Sequence, residues 1–421
     1  MSEIPHTNIT RMVVKNYRTL VDVDIALTPL TVFVGKNGVG KSNVIDVLRF
    51  VRDGLKDGFD LALLHHGGIS ALRYWFADEG EDVSIELHFE GPEWSGQYGF
   101  SFGTADQVCH IKSETLYLTS DLINGCNDSE NVGGVSDEQE MSDRARGEDV
   151  GESLLFEVVE GQVVRVAEQI DGVIIRHSNH AHQKKTVSQR SFYLTELAQL
   201  SPRLAAVRDF FANMNFYDLA PNGLREPQKA TNPVPLLEDG SNLTSALREI
   251  QRKKKDYLIT QALEIVYKGL NAYSIVPVGK HLVTKLHVGA QNGHSQEVPS
   301  DLGDESDGTI RMLAILTALY QDRYPSPLAI EEPEKGIYSS ALALCSDLLQ
   351  EATLRYQVLT STHSPDLISE LPVDTLRVVE KEHGITKIGP LSDHQQEAII
   401  ERIFSAGALM RIEGLERETG A

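Results

Sequence analysis

Cysteine is scarce. The 421 residues contain three, Cys109, Cys126 and Cys345, odd in number and far apart. That excludes a disulfide framework and any paired-cysteine zinc spacing, and points to a reducing compartment. Long apolar runs are absent as well: no stretch approaches the ~18 residues needed to cross a bilayer. Met1 to Thr10 is polar, with no apolar core of a secretory leader. A cytoplasmic protein without a membrane partner is expected. Basic residues are outnumbered, 39 against 61 acidic, for a net charge of −22. A broad basic coat for nucleic acid is excluded, although a local basic groove is not. Apolar residues make up 41%, enough for a sizeable core, and the length suits two or three domains or one large α/β domain with an insertion.

The strongest local pattern is Gly35-Lys36-Asn37-Gly38-Val39-Gly40-Lys41-Ser42, a phosphate-binding loop of the form G-x-x-x-x-G-K-[ST]. Leu30 to Val34 before it reads as a short buried strand. Asn43 to Leu55 after it reads as an amphipathic helix, with Val44, Val47, Leu48, Val51 and Leu55 on one face. A strand, a glycine turn and a helix start aim backbone N–H groups and the positive helix end at an anion. Gly35, Asn37, Gly38 and Gly40 shape the loop, and Gly38 and Gly40 let backbone approach phosphate. Lys41 can reach between the β- and γ-phosphates, and Ser42 can offer its hydroxyl to Mg²⁺.

Ile9 to Val14 and Leu20 to Leu27 read as strands joined by an Asn16-Tyr17-Arg18 turn. His65-His66 reads as a polar loop edge rather than a metal site, because no third ligand stands at a usable spacing. Val83 to Phe89, Tyr98 to Phe102 and His110 to Leu118 continue as antiparallel strands. Residues 124–153 form an acidic Gly/Ser-rich loop. Leu154 to Val159, Val163 to Glu168 and Gly172 to Arg176 are further strands. His177, His180 and His182 lack a carboxylate or cysteine partner and read as a polar loop or hairpin. Helical periodicity then covers Thr195 to Met214 and Asn242 to Lys268, the second with a cap near Ser241 or Asn242 and a stop at Gly269. Arg252-Lys253-Lys254-Lys255 is the most basic spot, either a solvated helix face or a DNA contact. Strand patterning returns at Tyr273 to Val278, His281 to Val288 and Glu297 to Pro299.

Four elements follow in order. Ser306-Asp307-Gly308-Thr309 opens a helix from Ile310 to Tyr320, with Ser306 as its cap. Pro327 to Ile330 is a short apolar strand ending in Glu331-Glu332-Pro333-Glu334, where one carboxylate can hold Mg²⁺ through water and the next can polarise an attacking water. Tyr338-Ser339-Ser340 enters a helix from Ala341 to Ala352. Gln357 to Ser361 is a strand ending in Thr362-His363-Ser364-Pro365, with His363 at its mouth, able to donate to a γ-phosphate. Parallel βαβ strands collect ligands at their carboxyl ends.

These residues resemble the ABC-type ATPases of the RecF/SMC class, in particular the stand-alone bacterial "predicted ATPase" proteins related to RecF and to the ATPase half of OLD nucleases. The resemblance covers nearly the whole chain. It rests on Asn16-Tyr17-Arg18, Gly35 to Ser42, Phe216-Tyr217 to Arg225, Gly240 to Leu243, Ser306 to Thr309, Glu331 to Glu334, Thr362 to Pro365 and Ser405 to Leu409. It implies an α/β P-loop ABC-type head, a mixed sheet with flanking antiparallel strands and a helical insertion. The expected parts are an N-terminal lobe 1–185, an insertion 186–270 and a C-terminal lobe 271–421. It also implies ATP and Mg²⁺ as ligands. Arg18 would contact the nucleotide near the base or α-phosphate, and Lys41 and Ser42 would hold phosphate and Mg²⁺. Glu331 takes the Walker B position and Glu332 the catalytic base. Ser306 and Gly308 would reach the γ-phosphate of ATP on a second subunit, and His363 is the switch histidine. The chain departs from the more usual pattern at Asp307 (Gly in transporter-like members), at Glu331 (usually Asp) and at Ile337 to Ser340 (usually Leu-His-Pro-Ser). Gln189 is the candidate for the Q-loop glutamine.

The implied assembly is a head-to-tail homodimer or a higher homo-oligomer. Two roles remain open. One is ATP hydrolysis coupled to sensing or remodelling double-stranded DNA, in repair or anti-phage defence. The other is an ATP-controlled scaffold that holds or releases a protein effector encoded nearby. With the chain ending soon after His363 and no nuclease motif present, any cleavage is expected from a separate partner. A transporter ATPase subunit is disfavoured by the long insertion and the Asn16-Tyr17-Arg18 start.

Overall fold

The computed structural model describes residues 6–77, 81–92, 94–105, 107–119, 153–166, 169–170, 173–174, 186–229, 235–289 and 298–418. The acidic stretch 124–153 (Ser153 excepted) and His177, His180 and His182 lie outside the described residues. In chain order the elements begin with β1 (Asn8–Tyr17), β2 (Leu20–Ala26), β3 (Leu30–Val34), α1 (Lys41–Asp57), α2 (Phe59–His65) and α3 (Ile69–Leu72). Then come β4 (Val83–Glu90), β5 (Ser95–Ala105), β6 (Val108–Thr119), β7 (Ser153–Val159), β8 (Gln162–Val166), β9 (Gln169–Ile170) and β10 (Val173–Ile174). The middle holds α4 (Tyr193–Leu197), α5 (Pro202–Ala212), β11 (Asn215–Tyr217), α6 (Pro221–Arg225), β12 (Gln228–Lys229), α7 (Leu243–Arg252), α8 (Asp256–Val266), β13 (Leu270–Val278), β14 (His281–Val288) and β15 (Val298–Asp301). The last part is α9 (Asp307–Tyr320), β16 (Leu328–Glu331), α10 (Leu342–Ala352), β17 (Val358–Thr362), α11 (Pro365–Glu370), β18 (Leu376–Glu382), β19 (Ile385–Pro390), α12 (Asp393–Ile400) and α13 (Ala406–Ile412).

Two large sheets organise these elements. One is antiparallel, in the order β2-β1-β4-β5-β6-β7-β8. Its strands alternate: in β4, Val83, Ile85, Leu87 and Phe89 are buried and the residues between them are not, as a sheet with one covered face requires. The other runs β11-β16-β17-β3-β18-β19, parallel apart from the final β18–β19 pair. Its central strands β3 and β17 are buried at all five positions. Such unbroken runs suit a parallel sheet covered on both faces. Successive residues of β3 point to opposite faces, so Phe33 joins the core under α1 while Val32 and Val34 join the core around α9. A smaller sheet pairs β12 and β13 with β14, and β15 also pairs β14.

Side chains stitch the two large sheets together: Arg377 of β18 donates to the Ala26 carbonyl of β2 at 2.8 Å, and Gln357 adds three more bonds. The fully buried Gln357 accepts from the Ile9 N–H at 2.9 Å and donates to the Ile9 carbonyl at 2.7 Å and the Thr28 carbonyl at 3.1 Å. An amide supplies both a donor and an acceptor, so it replaces a missing stretch of backbone pairing.

Several local readings are corrected. β1 runs on through Tyr17, which is fully buried, and the turn is Arg18-Thr19. The helical stretch 195–214 is two helices, because Pro202 starts α5 with Ser201 capping the Leu204 N–H; a proline ring cannot continue the preceding helix. The stretch 242–268 is also two helices, broken at Lys254, whose φ of 57° is left-handed. Asn242 precedes α7 without capping it, its amide instead serving the Leu237 N–H and the Pro235 carbonyl. The segment 186–270, expected as a helical insertion, also contributes β11 to the parallel sheet beside β16.

Candidate functional site

β3, β17 and β16 lie side by side and point the same way, so the residues after each strand meet at one edge. From β3 comes the phosphate loop. Gly40 has a φ of 113°, and a Cβ there would stand 2.3 Å from Thr386 Oγ1, so conformation and space both require glycine. No side chain caps α1, which leaves its first N–H groups for an anion. Lys41 Nζ donates to the carbonyls of Gly35 at 2.8 Å and Lys36 at 2.9 Å, folded along its own loop. Burial pulls the Lys41 pKa down, against the opposing pull of Glu332 and Glu334.

From β16 come the acids. Ser42 Oγ donates to Glu331 Oε2 at 2.7 Å, so the two Mg²⁺ candidates meet across 289 residues of sequence. Two hard oxygen donors suit Mg²⁺. Among the described residues no cluster of three or more His, Cys, Asp or Glu is arranged to hold a metal. Arg49 pairs with the other Glu331 oxygen at 3.3 Å. Glu332 takes a left-handed φ of 45°, a conformation that costs a non-glycine residue about 1–3 kcal/mol unless its surroundings hold it.

Arg311 is part of what holds it. Its guanidinium is fully buried and donates to the carbonyls of Leu219, Glu331 (3.1 Å) and Glu332 (2.7 Å). Burial lowers the Arg311 pKa, while Asp218, Glu334 and Glu332 oppose that shift. The sequence reading missed this residue, although one arginine in the apolar run from Ile310 to Leu316 was a usable signal.

From β17 comes His363, whose side chain is 43% exposed with Nδ1 3.0 Å from Glu332 Oε1. Glu334 Oε1 accepts from Thr362 Oγ1 at 2.6 Å and from the His363 N–H at 3.3 Å. Glu331, Glu332 and His363 therefore form one rim beside Lys41 and Ser42.

The other expected residues sit around that rim. Ser306 caps α9, accepting from the Thr309 N–H at 3.2 Å. A Cβ on Gly308 would stand 2.7 Å from the Gly336 carbonyl, so the start of α9 packs tightly on the loop that follows Glu334. Arg225 pairs with Asp307 at 2.5 Å. Arg18 pairs with Asp46 of α1 at 2.9 Å and lines a cleft of about 440 Å³ with Thr19, Tyr74, Trp75 and Phe76. Trp75 and Phe76 are 85% and 84% exposed. Thr19 links this cleft to the phosphate loop, accepting from Asn43 Nδ2 at 2.7 Å. Gln189 donates to Glu160 at the β7–β8 turn, a contact that does not involve the phosphate loop.

Two surface readings change. His66 is not a loop edge. It is buried in a cluster where Nδ1 faces Asp46 at 3.2 Å and Nε2 faces Asp53 at 3.0 Å. The basic run is largely offset: Arg252 pairs with Glu249, and Lys253 and Lys255 both pair with Asp322. No helix among the described residues is long and apolar enough to cross a membrane.

Known proteins match this architecture. Endonuclease GajA of Bacillus cereus (strain VD045) is 23% identical over 406 residues, 91% of this chain and 59% of GajA. The OLD nuclease of Thermus scotoductus (strain ATCC 700910 / SA-01) is 28% identical over 93 residues, 22% of this chain and 16% of that protein. The chain thus spans about three-fifths of the length of GajA. The fold is that of an SMC head, solved bound to the C-winged helix domain of ScpA, with a TM-score of 0.51 at 12% identity, covering 92% of this chain and 99% of that one. The family model described as "AAA domain, putative AbiEii toxin, Type IV TA system" matches residues 30–369, from β3 into α11. The chain belongs to that AAA-domain family and has the fold of an SMC head.

Proposed function

We propose that the protein hydrolyses ATP in a Mg²⁺-dependent reaction at a site completed by a second copy of itself, and that turnover is coupled to double-stranded DNA. One observation carries the ATPase reading: the 2.7 Å Ser42–Glu331 contact lies on the same sheet edge as the 3.0 Å Glu332–His363 pair. A phosphate-loop hydroxyl, a metal-holding acid, a base and a hydrogen-bond donor are then in one place. Lys41 and the uncapped start of α1 bind the phosphates. Ser42 and Glu331 would hold Mg²⁺, which when bound neutralises phosphate charge. Glu332 orients and deprotonates the attacking water, and Arg311 fixes the backbone that aims it. His363, steadied by Glu332, donates to the γ-phosphate. The purine base stacks in the Tyr74–Trp75–Phe76 cleft beside Arg18. Ser306 and Gly308 act on ATP held by the partner copy. In this chain their neighbours are Thr309 and Gly336, and neither belongs to the phosphate loop.

The test is steady-state hydrolysis by the full chain with and without double-stranded DNA, beside Lys41→Ala and Glu332→Gln. Loss of a base is expected to slow turnover about 10²–10⁴-fold, and Glu332→Gln is expected to accumulate as an ATP-bound dimer. Wild-type turnover by Glu332→Gln would sink the assignment of the base. DNA stimulation supports coupling to DNA. A second reading, an ATP-controlled scaffold for a separate effector protein, is favoured by the pairing of Lys253 and Lys255 with Asp322, and turnover indifferent to DNA selects it.

A further inference from the structure

The start of α9 carries an electrostatic contradiction. Under the composite-site reading it must approach the γ-phosphate, yet Asp301, Asp304, Glu305 and Asp307 crowd it with carboxylates. Two of them are engaged away from it: Asp301 pairs with Lys285 at 2.8 Å and Glu305 accepts from Tyr267 at 3.2 Å. Asp307 directly follows Ser306, is exposed, and occupies the first position of the helix. A carboxylate there stabilises the helix itself. The same charge repels a polyanion brought up to the neighbouring serine, and that repulsion grows once a closing interface excludes water.

We infer that Arg225 is a positioning residue that makes the Asp307-bearing signature compatible with phosphate, by cancelling the Asp307 charge within its own chain before the dimer closes. This inference rests on the composite-site reading. The geometry is specific. α6 ends at Arg225, and its guanidinium spans two partners, one nitrogen donating to the Gly303 carbonyl and the other to Asp307 Oδ1 at 2.5 Å. Gly303 lies just before the helix and Asp307 is its first residue, so one planar fork grips both sides of Ser306. Arg225 therefore serves two ends. It fixes the loop that presents Ser306, and it offsets Asp307, the one carboxylate inside Ser306–Thr309. Arg225 lies 81 residues before Ser306, and the charge balance of the signature is set by that distant residue.

The experiment reads ATP-driven dimerisation of the full-length Glu332→Gln protein by light scattering across a titration of ATP with Mg²⁺. Bound ATP per monomer is measured by dialysis on the same samples. Arg225→Ala is expected to raise the half-saturating ATP for dimerisation about tenfold or more. Adding Asp307→Gly to Arg225→Ala is expected to bring it back to within about threefold of the parent, because the unpaired charge is gone. Asp307→Asn with Arg225 intact is expected to lower it about threefold, since the guanidinium is then free to face phosphate. That arm does not depend on how well Arg225→Ala folds. An Arg225→Ala protein that dimerises like its parent overturns the inference. So does a double variant no better than Arg225→Ala, or an Asp307→Asn protein with unchanged or weaker dimerisation. A parent that binds ATP and stays monomeric overturns the composite-site reading, and the inference falls with it.

Discussion

Two histidines each face a pair of carboxylates, in opposite surroundings. His66 is shut between Asp46 and Asp53, with its side chain 5% exposed, and the aromatic ring of Phe50 lies 5.4 Å away. Asp46 also accepts from Tyr17 at 2.6 Å and pairs with Arg18 at 2.9 Å, and Asp53 pairs with Arg52 at 2.6 Å. Every group there has a fixed partner. His363 faces Glu332 and Glu334 on an open rim, where one carboxylate is held in a left-handed conformation. The chemistry of the two clusters is nearly the same. Closure makes the first a clasp between α1, the β1–β2 turn and the end of α2; openness leaves the second able to touch a substrate.

The comparison breaks most clearly on activity. Glu332→Gln is expected to cut turnover about 10²–10⁴-fold while leaving the unfolding midpoint close to wild type, since its partner His363 is half-exposed and such pairs contribute about 0–1 kcal/mol. His66→Ala should do the reverse. It takes one partner from each of two buried carboxylates, which keep Tyr17 and Arg18 (Asp46) and Arg52 (Asp53); that loss costs about 1–3 kcal/mol, and denaturant unfolding would register it. A His66→Ala protein as stable as wild type would refute the clasp.

A pH titration sharpens the contrast. Burial pulls the His66 pKa down, but hydrogen bonds to Asp46 and Asp53 outweigh it, so the net shift is upward from 6.5. A raised folded pKa means the stabilisation is complete below about pH 6.5 and is lost as pH rises through the folded value. Asp46 and Asp53 are pulled up by burial and brought below 3.8 by His66, with help from Tyr17 and Arg52 respectively. Their contribution is present above about pH 3.8 and is lost as pH falls through their folded values. Glu114 gives an independent window. It is buried, accepts from the Tyr193 and Leu194 N–H groups and from Tyr98, and burial lifts its pKa from 4.5 to about 7. It therefore erodes stability as pH rises from 4.5 to about 7. Unfolding free energy against pH should lose its alkaline slope in His66→Gln and its pH 4.5–7 slope in Glu114→Gln.

The smallest effect is expected from Lys253→Ala with Lys255→Ala. With their charges already offset by Asp322, the pair should change the salt dependence of DNA-stimulated turnover by a slope of less than about one. A loss equal to two phosphate contacts would restore the basic run as a DNA surface.

The phosphate loop was legible in the sequence because eight consecutive residues carry it and the flanking strand and helix follow local rules. The same holds for the Ser306 cap, for Glu331-Glu332 at a strand end and for His363 after the next strand, each set by a short pattern of burial, capping or strand termination. What joins them was not local. That Ser42 meets Glu331 depends on β17 lying between β3 and β16, a pairing order that periodicity does not encode. His66 read as a polar loop because its two partners sit 20 and 13 residues earlier on one helix face, and a loop reading has no means of folding the chain back onto that face. The roles of Arg311 and Arg225 were not legible for the same reason, although Arg225 ends a segment that carries the resemblance and Arg311 interrupts an apolar run: an arginine acquires its role from the carbonyls and carboxylates that the packed structure brings to it. The sequence by itself determined the kind of chemistry, since a phosphate loop needs only neighbours in the chain. The tertiary structure alone decided which charges are paired, which are buried and which face an open edge, because desolvation and pairing depend on distance in space and not on distance along the chain.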